Sequence, residues 1–513
     1  IVQKTLSLLL FTLTTFIGFS QVVPVASNVS AATVKNTNAS IHLVASDADF
    51  DSLTYSIVSN PSNGTATLSG DTVTYTPTTD FLGTDTFTFK GNDGEEDSET
   101  RTVTIKVVKG YLSIPNQIGA DIDGEAAGDK SGTSVSFSSD GTTLAIGAYR
   151  NDGNGADSGH VRVYKYDGTI WTQLGSDIDG EAAGDYLGRS VSLSSDGTTL
   201  AIGAYRNDGN GADSGHVRIY KYNGTTWTQL GSDIDGEAAV DNSGFSVSLS
   251  SDGTTLAIGA IFNDGNGNGA YSGHVRIYKY DGTTWTQLGS DINGEAAEDQ
   301  SGFSVSLSSD GTTLAIGAYR YDGNGPDSGY VRIYKYDGTT WTQLGSDINE
   351  EAASDYLGRS VSLSSDGTTL AIGALLNDGN GNDSGHVRIY KYDGTTWTQL
   401  GSDIDGEAAE DQSGFSVSLS SDGTTLAIGA YRNDGNGADS GHVRIYKYDG
   451  TTWTQLGSDI DGEAAEDQSG FSVSLSSDGT TLAIGAYRND GNGADSGHVR
   501  VYNLVNSVSA VNE

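Results

Sequence analysis

Hydrophobic residues in this chain alternate with serine, threonine and charged residues, and the alternation restarts at a regular interval along most of its length. In residues 189–194 (RSVSLS), Val191 and Leu193 alternate with serines. In residues 216–222 (HVRIYKY), Val217 and Ile219 alternate with Arg218 and Tyr220. A period of two puts successive side chains on opposite faces, which predicts half-buried strands. Each unit holds four such segments; in the second they are residues 189–194, 198–205 (TTLAIGAY), 216–222 and 226–230 (TWTQL). Ser195-Asp196-Gly197 joins the first pair and Asn223-Gly224 the second pair, and such dipeptides favour hairpin turns. No stretch of the unit carries a helical period.

Seven units fill residues 117–502. The Asp of SSDGTTLAIGA recurs at Asp140, Asp196, Asp252, Asp310, Asp366, Asp422 and Asp478. The spacing is constant except between Asp252 and Asp310, where it is longer by two. The two extra residues fall in one loop, residues 263–273 (NDGNGNGAYSG), so the strands stay intact. Four strands per unit and seven units predict a seven-bladed β-propeller. The ends of the array are complementary. Residues 111–122 (YLSIPNQIGADI) align with a fourth strand, whereas residues 499–502 (VRVY) are a third strand with no Trp after them. Pairing the two segments would close the ring.

The unit resembles the FG-GAP repeat of integrin α-subunits and secreted bacterial proteins. That family reads Phe-Gly-x-Ser-Val, then a second strand ending Gly-Ala-Pro. Leu187-Gly188-Arg189-Ser190-Val191 and Leu357-Gly358-Arg359-Ser360-Val361 come nearest, while other units read Ser-Gly-Phe-Ser-Val, as at Ser413 to Val417. Gly-Ala is kept in all seven units, from Gly147-Ala148 to Gly485-Ala486, with Tyr, Ile or Leu in place of Pro. The resemblance implies a propeller and extracellular binding or adhesion. The family's calcium loop between strands one and two is here only a short Ser-Asp-Gly turn, so those ligands do not transfer.

Residues 1–21 predict a signal peptide, since Lys4 precedes the apolar run 6–19 (LSLLLFTLTTFIGF), which is short for a membrane span. Residues 22–108 predict a β-sandwich, with strands at 40–44, 53–58, 72–76, 85–90 and 100–107. Asp47-Ala48-Asp49-Phe50-Asp51, Tyr75-Thr76-Pro77, Phe81-Leu82-Gly83-Thr84-Asp85 and Asn92-Asp93-Gly94 resemble bacterial Ig-like and cadherin-like repeats. The resemblance implies Ca2+ at Asp47, Asp49 and Asp51, with Asp85 or Asp93 as partners. The propeller is expected over 111–503 and a C-terminal linker over 504–513. The linker resembles the stretch before a sorting domain in type IX secretion substrates. The expected fold class is therefore all-β: an N-terminal Ig-like sandwich followed by a seven-bladed propeller of four-stranded blades.

Acidic residues collect in two connections of each unit. One is Asn-Asp-Gly-Asn-Gly-x-Asp-Ser-Gly, as in residues 207–215; the other is Asp-x-Asp-Gly-Glu-Ala-Ala-x-Asp, as at Asp177, Asp179, Glu181 and Asp185. In an up-and-down blade these long loops share one face, where function concentrates. Asp177, Asp179, Glu181 and Asp185 are candidate Ca2+ ligands, because carboxylates two apart can converge and the Gly permits a sharp turn. They are equally readable as turn formers bonding their own backbone.

A net charge of −40 and a pI near 4.2 argue against nucleic acid and anionic membranes as partners. The chain has no Cys, so no disulfide framework is expected. Six of seven His occupy one repeat position (His160, His216, His274, His386, His442, His498), with Tyr330 in the seventh, which reads as a structural ladder. The six Trp are periodic too and are expected to pack the outer strands. Catalysis needs an asymmetric set of groups, and no such set stands out. The sequence thus predicts a secreted or cell-surface, calcium-dependent, non-enzymatic binding protein with no transmembrane segment. Its extracellular protein or glycan ligand is expected on the acidic loop face. A polysaccharide-acting enzyme, or its carbohydrate-binding accessory, is the alternative.

Overall fold

A computed structural model describes residues 23–35, 38–47, 52–79, 81–108, 116–350 and 352–504. The chain divides into two compact units that meet between Leu112 and Ser113. The expected signal peptide and most of the expected linker, as well as Asp49 and Asp51, lie outside the described residues. Among the described residues no helix is long and apolar enough to cross a membrane.

The first unit is a sandwich. One sheet orders Val29–Val34, Arg101–Val108, Gly83–Asn92 and Thr54–Ser59; the other orders Ala39–His42, Thr72–Pro77 and Gly64–Ser69. Leu43, Val73, Tyr75, Phe87, Phe89, Val103 and Ile105 fill the space between them. Sequence reasoning missed Val29–Val34 (VSAATV) and Gly64–Ser69 (GTATLS). Both are built from small residues whose alternation is too shallow to register as a buried face.

Among the described residues of the second unit there are seven antiparallel sheets, one per repeat. The second sheet, for example, runs Leu187–Leu193, Thr199–Ala204, His216–Tyr222 and Trp227–Gln229, and Ile234–Asp235 adds a short pair to its third strand. The last sheet takes its outer strand from the start of the array: Asn116–Gln117 and Ile122–Asp123 pair with His498–Asn503 in the register Gln117↔Tyr502 and Ile122↔Val499. One ring of backbone bonds also closes on itself. Ser139 donates to Ser195, Ser195 to Ser251, and so on through Ser309, Ser365 and Ser421, until Ser477 donates back to Ser139.

The core lies between sheets. Val161, Val163 and Ala145 of the first repeat meet Leu187, Val191, Leu200 and Ile202 of the second. The serines that alternate with these residues serve the same interface: Ser134 Oγ donates to Gly188 O at 2.9 Å, and Ser136 Oγ accepts from Leu193 N at 3.0 Å. This is how a chain with only 35% hydrophobic residues still builds a packed interior. The Trp ring is a third link, since Trp227 Nε1 donates to Leu174 O of the preceding repeat at 2.8 Å and every other Trp does the same. The Asp-Gly turns are self-contained: Asp196 Oδ1 accepts from Ser194 Oγ and Thr198 N, and Gly197 sits at φ +69°.

Candidate functional site

In five of the seven repeats a β-bulge opens the innermost strand, and in the other two Gly302 and Gly414 keep the same positive φ at that position. In the second repeat the register slips between Leu187 and Ser190, with Gly188 at φ +90°. A bulge re-aims the side chain it carries. The residue that follows this glycine is Thr133, Arg189, Phe245, Phe303, Arg359, Phe415 or Phe471 around the ring. Phe245 packs against Phe303 (ring centres 4.8 Å apart, planes inclined by 51°) and Phe415 against Phe471 (4.7 Å, 45°). The Arg359 guanidinium bridges the two pairs, 4.5 Å from the Phe303 ring and 4.0 Å from that of Phe415, and Arg189 lies 4.7 Å from Phe245.

A second tier surrounds these residues at the loop end, where strand two leads into the first acidic loop. It is formed by the Tyr-Arg pairs 149–150, 205–206, 319–320, 431–432 and 487–488, each Arg lying over its own Tyr at 5.5–5.7 Å. Tyr186 and Tyr356 join the collar in the left-handed backbone region, at φ 56° and 59°. The same φ is held at Lys130, Asn242, Gln300, Gln412 and Gln468, so it belongs to the turn of the repeat.

The collar is interrupted twice, by Leu375-Leu376 in the fifth repeat and by a larger change in the third. In the third repeat Ile261-Phe262 replaces Tyr-Arg, and the two-residue insertion holds Tyr271 edge-on to Phe262 at 5.1 Å. Together with Phe245, Phe303, Tyr319 and Arg320 they line a hollow of about 500 Å3. Tyr271 and Val240 at its rim are 39% and 44% exposed, which is unusual for side chains of this kind in this protein.

The electrostatics of the mouth oppose those of the molecule. Arg189 and Arg359 form no ion pair among the described residues. Burial lowers the pKa of each, and for Arg359 the neighbouring Arg189 charge adds to this, bringing it down to about 9. The two guanidinium groups thus lie against Phe245, Phe303 and Phe415, beside a hollow whose own charged lining is Glu298 and Arg320. Such an arrangement attracts an anionic group.

The predicted carboxylates are distributed differently from the sequence expectation. Asp177 and Glu181, two positions of one loop, belong to clusters in neighbouring repeats: Asp177 joins Glu125 and His160, and Glu181 joins His216 and Asp233. Asp185 is buried, accepting from Ala182 N at 3.0 Å and Asn207 Nδ2 at 3.1 Å, as a turn former does. Asp179 is exposed, on the short strand paired with His160. In the sandwich, the two carboxylate oxygens of Asp85 accept from Ser62 N, Asn63 N, Tyr75 Oη and Thr86 N. Burial alone would raise its pKa, but these bonds prevail and hold it low. Asp93 caps the turn at Glu95 and Glu96. Among the described residues, Asp47, Asp85, Asp93, Asp179 and Asp185 belong to no cluster of three or more potential ligand groups.

The His ladder sits deeper than expected. Each of His160, His216, His274, His442 and His498 is 1% exposed. Burial, aided by the Arg two residues on, depresses their pKa values, in four of the five to about 4, so the imidazoles are neutral. Sequence reasoning also missed the collar. Its signal was present in the Gly-Ala-Tyr-Arg that follows strand two in five units, and in the Arg or Phe of the Gly-x-Ser-Val motif.

An Ig-like sandwich followed by a β-propeller with one elaborated mouth is the class that fold and site define. The chain belongs to the FG-GAP repeat family, whose profile matches residues 122–164, 178–220, 293–334, 349–390, 403–446 and 459–502. Residues 21–106 match the bacterial Ig domain. The repeat with the insertion falls outside the FG-GAP matches. No curated protein matches the chain. Solved structures with a similar course include the β-propeller domain of the Trilobed protease from Pyrococcus furiosus (10% identity, 73% of this chain and 98% of that one, TM-score 0.41). Others are a putative 6-phosphogluconolactonase from Bacteroides uniformis (12%, 64% and 85%, 0.43) and the GH74 xyloglucanase from Xanthomonas campestris (13%, 74% and 54%, 0.40).

Proposed function

We propose that this is an extracellular, non-enzymatic binding protein that takes an acidic glycan at the axial mouth of its propeller. The observation that carries the reading is the pair Arg189 and Arg359, uncompensated inside a collar of Phe and Tyr. Aromatic faces suit the C–H faces of sugar rings, and a planar guanidinium suits a carboxylate or sulfate bidentately. The hollow beside Phe262 and Tyr271 breaks the repeat symmetry, as a site for one ligand requires. The surrounding acidic loops would repel anionic partners approaching elsewhere, which favours docking at the axis.

The test is a glycan array followed by titration calorimetry. A uronate- or sulfate-bearing polysaccharide is expected to bind, with affinity falling as salt rises. Replacing both Arg189 and Arg359 with Gln should weaken binding by tenfold to hundredfold, which corresponds to about 1.4–2.8 kcal/mol. The same variant should melt at a higher temperature without ligand, because an unpaired charge has been removed. Reducing-sugar release from the bound polysaccharide would instead favour the enzymatic alternative. Equal binding by variant and wild type would remove the mouth from the reading.

Calcium at the sandwich forms a separate part of the proposal, resting on the Asp47, Asp49 and Asp51 motif. Asn at these three positions should abolish calcium heat in calorimetry from a starting Kd of ~0.1–1 mM, typical of extracellular modules. A titration that is identical with and without the substitutions would refute it.

A further inference from the structure

We infer that the His ladder is a set of five transition-metal sites, each bridging two adjacent propeller blades, and that one of them clasps the closure of the ring. The five clusters are Glu125–His160–Asp177, Glu181–His216–Asp233, Glu237–His274–Asp291, Glu407–His442–Asp459 and Asp121–His498–Glu463. In each, the Glu comes from the loop that enters the blade and the His opens the blade's third strand. The Asp follows the blade's own outer strand.

Three features separate these clusters from a solvated acidic patch. First, the imidazoles are sealed off: Nδ1 of His160 and His274, the nitrogen that faces the carboxylates, has no hydrogen-bond partner, while in His216, His442 and His498 the unpartnered nitrogen is Nε2, on the other edge of the ring. A buried polar atom without a partner is costly and rarely retained. Here a buried imidazole nitrogen without a partner recurs in five repeats, and in the first and third it is the one that faces the carboxylates.

Second, the spacing suits ligation. His498 Nδ1 lies 3.9 Å from both Asp121 Oδ2 and Glu463 Oε2, and His160 Nδ1 lies 3.8 Å from Glu125 Oε2. These separations are too long for a hydrogen bond. The three ligand atoms of each cluster lie within 4.8 Å of one another, close enough to share one ion at zinc–nitrogen and zinc–oxygen distances after a small closure.

Third, the outer oxygens of the carboxylates are already held. Gln173 Nε2 donates to Asp177 Oδ1 at 2.6 Å, and Arg218 Nη1 stands 3.5 Å from Glu181 Oε1, leaving the inner oxygens directed at the His. Outer partners of this kind orient metal ligands.

The repeat with Tyr330 serves as an internal control, while in the fifth repeat residue 351, at the position of the cluster Glu, lies outside the described residues. Where Tyr330 replaces His, the Glu moves onto the arginine instead, with Arg332 Nη1 to Glu295 Oε1 at 3.2 Å. In the next repeat Glu350 is fully buried and reaches His386 Nε2 at 3.3 Å and Arg388 Nη1 at 2.8 Å, forming a direct ion-pair network. Where Tyr330 alters the cluster, the space closes through protein contacts. Where it is intact, it stays open around a point between three ligands. One nitrogen and two carboxylate oxygens, with a position left for water, select zinc or a neighbouring first-row ion over calcium, which takes six or more oxygens. At the last blade the ligands are Asp121, from the segment that begins the array, and His498, from the strand that ends it. An ion there ties the two ends of the propeller together. This inference is independent of the glycan reading and concerns the outer part of the loop face.

The full chain, stripped with chelator and dialysed against zinc at pH 7.5, should retain up to five ions by mass spectrometry of the metal. It should also melt higher with zinc than with equal calcium. His498→Tyr, which copies the natural occupant of the fourth repeat, should lower the count by one, as should the milder Asp121→Asn with Glu463→Gln. Tyr330→His should raise it by one. Loss of bound ions with each His substitution would establish the sites. Retention of zinc in a folded chain in which all five His are Tyr, or no zinc in the wild type, would overturn them.

Discussion

Deleting residues 116–123 should open the propeller and drive it to aggregate. This segment carries both short strands that pair with His498–Asn503. It supplies Ile122, which is buried against Val499 and Val501, and Ile118, which packs beside it. It also binds the first blade: Trp171 Nε1 donates to Ile118 O at 3.1 Å and Arg162 Nη2 to Asp123 O at 2.6 Å. An isoleucine contributes about 1.5–3 kcal/mol when fully buried. Several hydrogen bonds at about 0.5–1.5 kcal/mol each raise the loss above ~5 kcal/mol. The strand left unpaired would be a hydrophobic edge, a template for association. Light scattering should show oligomers, with a melting transition lowered well beyond that of a surface deletion of equal length. A monomer with an unchanged melting temperature would mean that closure adds nothing.

The second large effect is expected at Gly203. Its φ lies in the ordinary strand region, so the backbone itself would accept Ala; the neighbouring blade would not. A Cβ there would stand 1.9 Å from Gly244 O, inside any permissible contact, and the obstacle is backbone and cannot swing aside. The six equivalents, from Gly147 to Gly485, face the corresponding positive-φ glycine of the next blade in the same way. Gly203→Ala should therefore cost more than ~3 kcal/mol, at or beyond the usual range for overpacking. Gly224→Ala is the matched control, with open space around it but φ +97°, so only backbone strain of roughly 1 kcal/mol is expected. Denaturant midpoints for the two variants should differ clearly. Equal midpoints would show that the blades can slide apart at no cost. The contact also explains the family motif in physical terms, since both of its glycines are where two blades touch through bare backbone.

Much of this architecture was legible in one dimension because it depends on local pattern. Alternation in RSVSLS and HVRIYKY specifies strands, Asp-Gly specifies the hairpins, and the constant repeat length specifies one sheet per unit. The complementary ends were legible for the same reason, since a missing fourth strand and a spare one are visible by alignment of the repeats. The site was less so. Asp177 and Glu181 are close neighbours in the chain, yet they serve different blades, because the loop between them crosses from one sheet to the next. His160 looked like a ladder rung, because its partners Glu125 and Asp177 are distant along the sequence on either side.

What the sequence determined by itself, then, was the four main strands of each propeller repeat and their order, which follow from near-neighbour periodicity and turn chemistry; in the sandwich it left out Val29–Val34 and Gly64–Ser69. What only the tertiary structure decided was which side chains meet. Arg189 and Arg359 belong to the second and fifth repeats, and ring closure brings them to one axis, where a bulge turns them inward. Asp121 and His498 stand at opposite ends of the array and meet because the first segment completes the last sheet. Contacts of this kind depend on the closure of a ring, a long-range property that local periodicity does not encode.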